Sequence, residues 1–145
     1  MKITSKILSI ILAILMVISI IPITASAATY SGTCGDNLTW TFDDSTGTLT
    51  ISGEGDMYDY TSSNRPWQDY VKKIKKIVMN EGITSIGDYA FINSSLSYVY
   101  IPDSVTHIGG SAFFYCDNLK EIYCKPTTPP SGSSSMFDYN ASDRK

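Results

Sequence analysis

Two stretches of this sequence carry almost the same line of residues, about 22 positions apart. One runs TSIGDYAFINSSLSYVYIP from Thr84 to Pro102, and the other runs THIGGSAFFYCDNLKEIYC from Thr106 to Cys124. An Ile-Gly pair, an Ala-Phe pair and a Leu-x-x-Val/Ile pattern recur in the same order. Self-similarity at this period predicts a solenoid, because stacked coils bury the apolar edges that a single coil leaves exposed.

The end of each copy predicts a β-strand of that solenoid. In Leu96-x-x-Val99-x-Ile101, the last two apolar residues lie two positions apart and therefore point to the same side of a strand. Ile122 and Cys124 hold the corresponding positions in the second copy. We expect Val99, Ile101, Ile122 and Cys124 to form one wall of the dry interior.

A partial copy precedes the two full ones, in the pattern Ile74-x-x-Ile77-x-Met79. In the turns, the pair Gly109-Gly110 is expected to adopt backbone angles that a Cβ atom would forbid. The predicted fold is therefore mostly β with short helical turns, a leucine-rich-repeat solenoid of two full repeats plus partial ones.

The string VTHIGGSAFFYCDNLKEI, residues 105–122, resembles the BspA-like leucine-rich repeat of bacterial secreted and surface proteins. The resemblance covers about residues 74–126, and GTCGDNLTW at 32–40 resembles the segment that often precedes such repeats. The chain departs from the pattern at Ser94, where the family often has Cys, and in having only two full repeats. The resemblance implies a non-enzymatic module, secreted or at the cell surface, that serves protein–protein contact or adhesion.

Residues 1–27 have the form of a cleaved secretory signal peptide. Lys2 and Lys6 precede an almost wholly apolar run at 7–21, and Ala25-Ser26-Ala27 fits a cleavage site. A retained membrane anchor is the alternative, because the apolar run approaches spanning length. Without the two lysines, nine basic residues face 14 acidic ones, a net charge of −5. This balance excludes a nucleic-acid partner, and we expect membrane contact only through the uncleaved peptide.

Residues 28–70 are predicted to cap the solenoid. Apolar residues alternate with threonine on both sides of an aspartate-rich turn: Leu38, Trp40 and Phe42 before it, Leu49 and Ile51 after it. This pattern predicts a β-hairpin that covers the first coil. The turn aspartates match no calcium-loop spacing and fit turn chemistry instead. Pro66 favours a short helix start that seats Trp67 on the first repeat.

Residues 71–125 are assigned to the repeats, and residues 126–145 to a loop and an incomplete last repeat. The loop is rich in proline, threonine and serine, and Phe137 lies where the next repeat's Phe belongs. No capping element follows, so the sheet edge near Tyr123 is expected to be unpaired. A truncated gene, a tail folded back as a cap and an end-to-end dimer are the alternatives, of which truncation is favoured.

The sequence contains no pattern for catalysis, a metal site or a cofactor. The single histidine, His107, aligns with Ser85 at a turn position, where a surface role is expected. Three cysteines leave at least one thiol unpaired in a secreted chain. The resemblance places Cys116 at the family's small buried position and Cys124 facing inward, on different walls of one coil. A disulfide between them is therefore disfavoured, and the state of Cys34 stays open.

The candidate binding residues lie on the strand face opposite the core, the concave face of the expected solenoid. They alternate with the inward residues of three strands: Lys76 and Val78, Tyr98 and Tyr100, Glu121 and Tyr123. We expect Val78, Tyr100 and Tyr123 to form a ladder across the sheet. Exposed tyrosine gives large contact area and a hydroxyl for hydrogen bonds, although ordinary cross-strand packing explains such a ladder equally well.

The leading hypothesis for function is a secreted recognition module whose partner is a protein or a surface glycan. One alternative is a carbohydrate-binding accessory module of a polysaccharide-degrading bacterium, with Tyr98, Tyr100 and Trp67 stacking on sugar rings. The other is a structural spacer between further domains.

Overall fold

The computed structural model describes residues 27–140 of the 145-residue chain. The predicted signal peptide at residues 1–27 lies outside the described residues, apart from its last position. The strands are β1 Thr29–Thr33, β2 Leu38–Asp43, β3 Thr48–Gly53, β4 Gly55–Asp56, β5 Lys76–Met79, β6 Ile83–Ile86, β7 Tyr98–Ile101, β8 His107–Ile108, β9 Glu121–Cys124 and β10 Ser131–Gly132, and two 3₁₀ turns span Gln68–Tyr70 and Ser134–Phe137. No helix among residues 27–140 has the length and apolar character needed to cross a membrane.

The strands form three hydrogen-bonded sheets on two walls of a solenoid. One wall holds the sheet β1-β2-β3-β5 followed by the pair β7-β9, and the other wall holds β4-β6-β8-β10. Pairing is parallel throughout the solenoid and antiparallel between β1, β2 and β3. The solenoid makes about four turns, and the prediction of a mostly β repeat fold with an N-terminal hairpin cap is confirmed.

The register between strands explains how the hairpin covers the first coil. Strand β3 pairs with β5 so that Leu49 lies opposite Ile77 and Ile51 lies opposite Met79. Phe42 of β2 lies opposite Leu49 in turn. All five side chains are buried. The hairpin thus extends the solenoid's own sheet and closes the apolar end that stacking leaves open.

A column of aromatic rings runs through the coils. The ring of Trp67 stacks on Phe91 at 5.6 Å, Phe91 on Phe113 at 5.3 Å, and Phe113 on Phe137 at 5.2 Å between centroids. Trp67 is fully buried, and its Nε1–H donates to the carbonyl of Ala90 at 2.9 Å. Such stacked rings add stability beyond their buried area, because their edges and faces carry complementary charge.

The short helix expected after Pro66 is a single 3₁₀ turn, Gln68–Tyr70. Trp67, Val71 and Ile74 around it are buried, and Trp67 sits against the first full repeat as predicted.

The expectation for Gly109-Gly110 is wrong, because neither glycine has a positive φ. A Cβ on Gly109 would instead lie 2.4 Å from the backbone nitrogen of Asp88, so the residue is needed for close approach of two coils. Left-handed backbone falls on non-glycine positions of the repeats: Tyr89, Asn93, Ser111, Tyr115 and Tyr139, with φ of 55°, 63°, 53°, 53° and 54°.

The cysteines divide between interior and surface. Cys116 is buried as expected, with its Sγ 3.1 Å from the hydroxyl of Ser94. Cys124 lies opposite Ile101 in register, but it is exposed, so the expectation that it belongs to the core is wrong. Ile122 beside it is only half-buried. The reason is that burial of an inward residue needs a further strand beyond it, and no described residue supplies one next to β9.

The tail after Pro126 forms part of a further coil on the other wall. Strand β10 pairs in parallel with β8, placing Gly132 opposite Ile108. A Cβ on Gly132 would lie 2.5 Å from the carbonyl oxygen of Ile108 and 2.9 Å from the Cε of Met136, so the residue is needed for close approach of the two strands. The N–H of Phe113 donates to the carbonyl of Met136 at 2.8 Å, which fixes the tail to the last full repeat.

Strand β1, Thr29–Thr33, was not predicted from the sequence. It pairs antiparallel with β2, and its Tyr30 stacks on Tyr70 with centroids 4.3 Å apart. The cap therefore has three strands rather than two.

Candidate binding face

The six predicted binding residues lie on the outward side of β5, β7 and β9. Tyr98 lies opposite Glu121, and Tyr100 lies opposite Tyr123. Tyr100 is 41% exposed and Tyr123 is 53% exposed, whereas Val99 between the two tyrosines of β7 is fully buried. The alternation of a strand thus holds these tyrosines outward on a rigid, buried support.

The ladder expected from Val78 through Tyr100 to Tyr123 is not one continuous hydrogen-bonded ladder. Val78 lies opposite Thr50 in the cap sheet, while Tyr100 and Tyr123 belong to the separate pair β7-β9. The strands β5 and β7 lie side by side without joining one hydrogen-bonded sheet. Half-buried Val78 therefore lies between the cap sheet and the pair β7-β9, the two parts of the face.

The tyrosines differ in how far their own side chains are engaged. The Tyr123 hydroxyl donates to Glu121 Oε2 at 2.6 Å, and this hydrogen bond raises the pKa of Tyr123 above its ordinary value. The rings of Tyr98 and Tyr123 meet edge to face at 6.4 Å. Among residues 27–140, Tyr100 has no ring partner and no side-chain hydrogen bond. Tyr100 is therefore the aromatic side chain of the face most available to a ligand.

Charged groups of both signs surround the tyrosines. Lys76 is exposed and lies opposite Thr48. Lys125, just after β9, pairs with Glu81 at 2.8 Å, and the hydrogen bond from Lys125 lowers the pKa of the Glu81 carboxyl. A border with charges of both signs is typical of a face that binds a protein. A face that binds a nucleic acid would require a uniformly basic surface.

A row of hydroxyl groups continues the face onto the cap. Ser31, Thr41 and Thr50 lie opposite one another on β1, β2 and β3, and Thr50 lies opposite Val78. Sequence reasoning gave the cap only a covering role and so missed this row. The signal was present, because the threonines alternate strictly with buried residues.

A second exposed aromatic group lies away from the strand face and was also missed. Tyr115 packs against Phe114 at 4.5 Å and against Tyr139 at 5.2 Å. The exposed fractions of Tyr115 and Tyr139 are 44% and 65%. Tyr115 and Tyr139 occupy, in the next two repeats, the left-handed position that Asn93 occupies in the first.

The other candidates for chemistry are poorly placed for it. Burial raises the pKa of Cys34 to about 12 and also raises that of Cys116, so neither buried thiol is a good nucleophile. His107 is exposed, with Nδ1 3.1 Å from the Ser131 hydroxyl. No group of three or more His, Cys, Asp or Glu side chains in residues 27–140 is placed to hold a metal ion. Trp67 cannot stack on a sugar, because its ring is fully buried in the aromatic column.

Comparison with known proteins agrees with this architecture. A family model described as "BspA type Leucine rich repeat region (6 copies)" matches residues 69–142. A crystal structure of a leucine-rich repeat protein from Eubacterium ventriosum ATCC 27560 is similar, with 32% sequence identity and a TM-score of 0.62. The similarity covers 68% of this chain and 26% of that one, so this chain spans about a quarter of that protein. No curated protein matches the chain.

Proposed function

Because this chain belongs to the BspA-type leucine-rich repeat family, whose domains are generally non-catalytic binding modules typical of bacterial surface or secreted proteins, we propose that it is a secreted recognition module. It binds a protein partner through the outward face of β5, β7 and β9 and serves adhesion. The single observation that supports this most directly is the exposed pair Tyr100 and Tyr123, in register on two parallel strands.

Physical reasons favour this pair as the centre of an interface. Tyrosine supplies a large, rigid contact area with only two side-chain torsions to fix, so it loses little entropy on binding. The strands below are held by fully buried Val99 and by Ile101, which is 1% exposed, so the face does not need to reorganise. Protein interfaces commonly place such aromatic residues at the centre, with charged residues such as Lys76 and Glu121 at the rim.

Site-specific photocrosslinking tests the proposal. A photoreactive phenylalanine analogue replaces Tyr100 in one variant and Tyr89, which is 37% exposed and lies outside the strands of the face, in the matched control. We expect a defined protein to crosslink at position 100 and not at position 89. Its affinity should then fall at least about tenfold in Tyr100→Ala, the size expected of an interface centre. Equal crosslinking at both positions, or an unchanged affinity in Tyr100→Ala, contradicts the proposal.

A second candidate function is glycan binding, which the row of hydroxyl groups favours. Ser31, Thr41 and Thr50 form one row with Val78, on the side of the cap sheet that leads toward Tyr100. Together these residues present hydroxyl donors beside an aromatic surface. Sugars need both kinds of contact, since their rings have an apolar face and polar edges. A glycan-array signal that disappears in both Tyr100→Ala and Tyr123→Ala would favour this function over protein recognition.

A further inference from the structure

A groove lies on the bend where three successive coils enter their strands β5, β7 and β9. Its volume is about 500 Å³, and the side chains that line it belong to Lys75, Ser95, Ser97, Asn118 and Lys120. All five are polar, and no carboxylate of residues 27–140 is among them. A cleft lined by charge of one sign concentrates ligands of the opposite sign.

The groove is built on a fixed backbone. The N–H of Lys120 donates to the carbonyl of Ser97 at 3.0 Å, and the hydroxyl of Ser95 donates to the carbonyl of Lys72 at 2.9 Å. Each coil also anchors the bend with a fully buried core residue just before its strand: Ile74, Leu96 and Leu119. Neighbouring coils therefore hold the lining residues in place before any ligand arrives, which lowers the entropy that binding would cost.

The two lysines of the groove are not neutralised within the described part of the chain. Ion pairs in residues 27–140 are formed by Lys73 and Lys125 only, so Lys75 and Lys120 have no carboxylate partner there. The predicted mature chain nevertheless carries 14 acidic residues against nine basic ones. Two unpaired cations around one groove of an acidic protein indicate a site for an anion, which would be attracted by both.

We propose that this groove binds an acidic oligosaccharide, a sugar chain that carries carboxylate or sulfate groups. Lys75 and Lys120 donate charge-assisted hydrogen bonds to the anionic oxygens, and Ser97 and Asn118 bond the sugar hydroxyls. The groove contains no residue of the tyrosine face, so this inference goes beyond the function proposed above.

The polar lining favours a sugar over an acidic peptide. Protein interfaces are centred on apolar and aromatic side chains, and this groove has none. The side chains of Ser97 and Asn118 make no hydrogen bond within residues 27–140, whereas the Ser95 hydroxyl already donates to a carbonyl and can only accept. Sugar hydroxyls both donate and accept, so they can satisfy all three groups.

Fluorescence anisotropy with two labelled probes tests the proposal. The probes are an oligogalacturonate, which carries carboxylates, and a sulfated dextran oligomer. Their controls are the methyl ester of the first and the unsulfated form of the second, which keep the sugars and remove the charge. At low ionic strength we expect saturable binding of at least one charged probe and none of either control. Added salt should weaken binding, because exposed charges are screened. The probe that binds identifies the anionic group.

Variants of exposed lysines locate the site on the protein. Lys120→Gln should lower the affinity at least about threefold, and the double variant Lys75→Gln/Lys120→Gln at least about tenfold. Lys73→Gln removes the same charge outside the groove and should change the affinity less than about twofold. Lys120→Arg keeps the charge and should retain binding.

Four outcomes overturn the proposal. The first is a lack of saturable binding of both charged probes up to about 1 mM, a weak limit for any specific complex. The second is equal binding of a charged probe and its uncharged control. The third is an affinity that is unchanged in the double variant, or that falls equally in Lys73→Gln and Lys120→Gln. The fourth is equal affinity for an oligo-aspartate of the same charge, which would replace the sugar with an acidic peptide as the ligand.

Discussion

The ring of Phe137 lies on the ring of Phe113 with centroids 5.2 Å apart and planes within 13° of each other, the interplanar angle that Trp67 and Phe91 also show. A residue of the incomplete last coil thus continues the aromatic column of the complete ones. The two phenylalanines differ in burial, because Phe113 has rings on both sides and Phe137 on one.

This difference predicts unequal effects of the same substitution. Phe113→Ala should lower the free energy of unfolding by about 3–5 kcal/mol, because it removes a fully buried ring and leaves a cavity. Phe137→Ala should cost less than half as much. Urea denaturation followed by circular dichroism measures both values. Equal losses would mean that the tail is packed as tightly as the repeats.

Arg65 is a buried cation without a carboxylate partner among residues 27–140. It is 3% exposed, and its guanidinium donates to the carbonyls of Tyr89 and Ile92, both at 3.1 Å, and to the side chain of Gln68. Arg65→Met keeps most of the volume but deprives buried carbonyls of donors, so we expect a loss of about 2–4 kcal/mol in unfolding free energy. Lys72→Met, at an exposed position, should change it by less than about 0.5 kcal/mol. An unchanged free energy of unfolding in Arg65→Met would show that the segment around Arg65 keeps its structure without these hydrogen bonds.

Ser111 has a φ of 53°. Backbone in this region is energetically costly for a residue with a Cβ atom but not for glycine. Ser111→Gly should therefore raise the free energy of unfolding by about 0.5–1 kcal/mol, since relief of the backbone strain exceeds the entropy that glycine adds to the unfolded chain. Ser97→Gly, at a position without positive φ, should lower it by a similar amount. Thermal melts of the two variants provide the comparison, and a shift of both in the same direction would contradict it.

The buried thiol of Cys34 predicts a loss of stability at alkaline pH. Burial raises its pKa from 9.0 to about 12, so in the folded state the proton is retained where the unfolded chain has lost it. Stability is complete below pH 9 and falls as the pH rises toward 12, by about 1.4 kcal/mol per unit for this group. The decline of unfolding free energy with pH should be shallower in Cys34→Ala than in the parent. Identical slopes would mean that other groups, such as half-buried Tyr60, govern the alkaline limit.

Thiol labelling should distinguish the three cysteines. Cys124 is exposed, whereas Cys34 and Cys116 are buried. A disulfide reagent that releases a coloured thiol should therefore react promptly with one thiol of the folded protein and with two more only in denaturant. The variant Cys124→Ser should show no prompt reaction. Prompt labelling of Cys116 would indicate that the last full repeat opens readily.

Sequence reasoning succeeded where a residue's environment is set by its own repeat. Val99 and Ile101 are buried because their spacing and the stacked neighbours agree, and Trp67 lies on the first repeat as its position indicated. It failed where burial depends on what lies beyond the repeat, as for Cys124, which has the right spacing but no strand over it. The burial of Arg65 was not predicted, because a buried cation follows no periodic pattern.

The strand face shows the same division. The outward direction of Tyr100 and Tyr123 follows from alternation alone. The lack of hydrogen-bonded pairing between β5 and β7 does not follow from alternation, because it depends on how two coils pack against each other rather than on any one strand. Strand β1 was not predicted from the sequence, because neither face of Thr29–Thr33 carries a buried residue.

The bend between Cys116 and Leu119 holds one residue more than the bend between Ser94 and Leu96, yet the paired strands after them remain in register. The extra length is taken up by Asp117 and Asn118, which are exposed. The register of β7 and β9 is therefore kept despite this one-residue difference in bend length. A short reporter sequence or affinity tag inserted between these two residues would leave both walls intact, which makes this bend a practical point for attaching the protein to a surface.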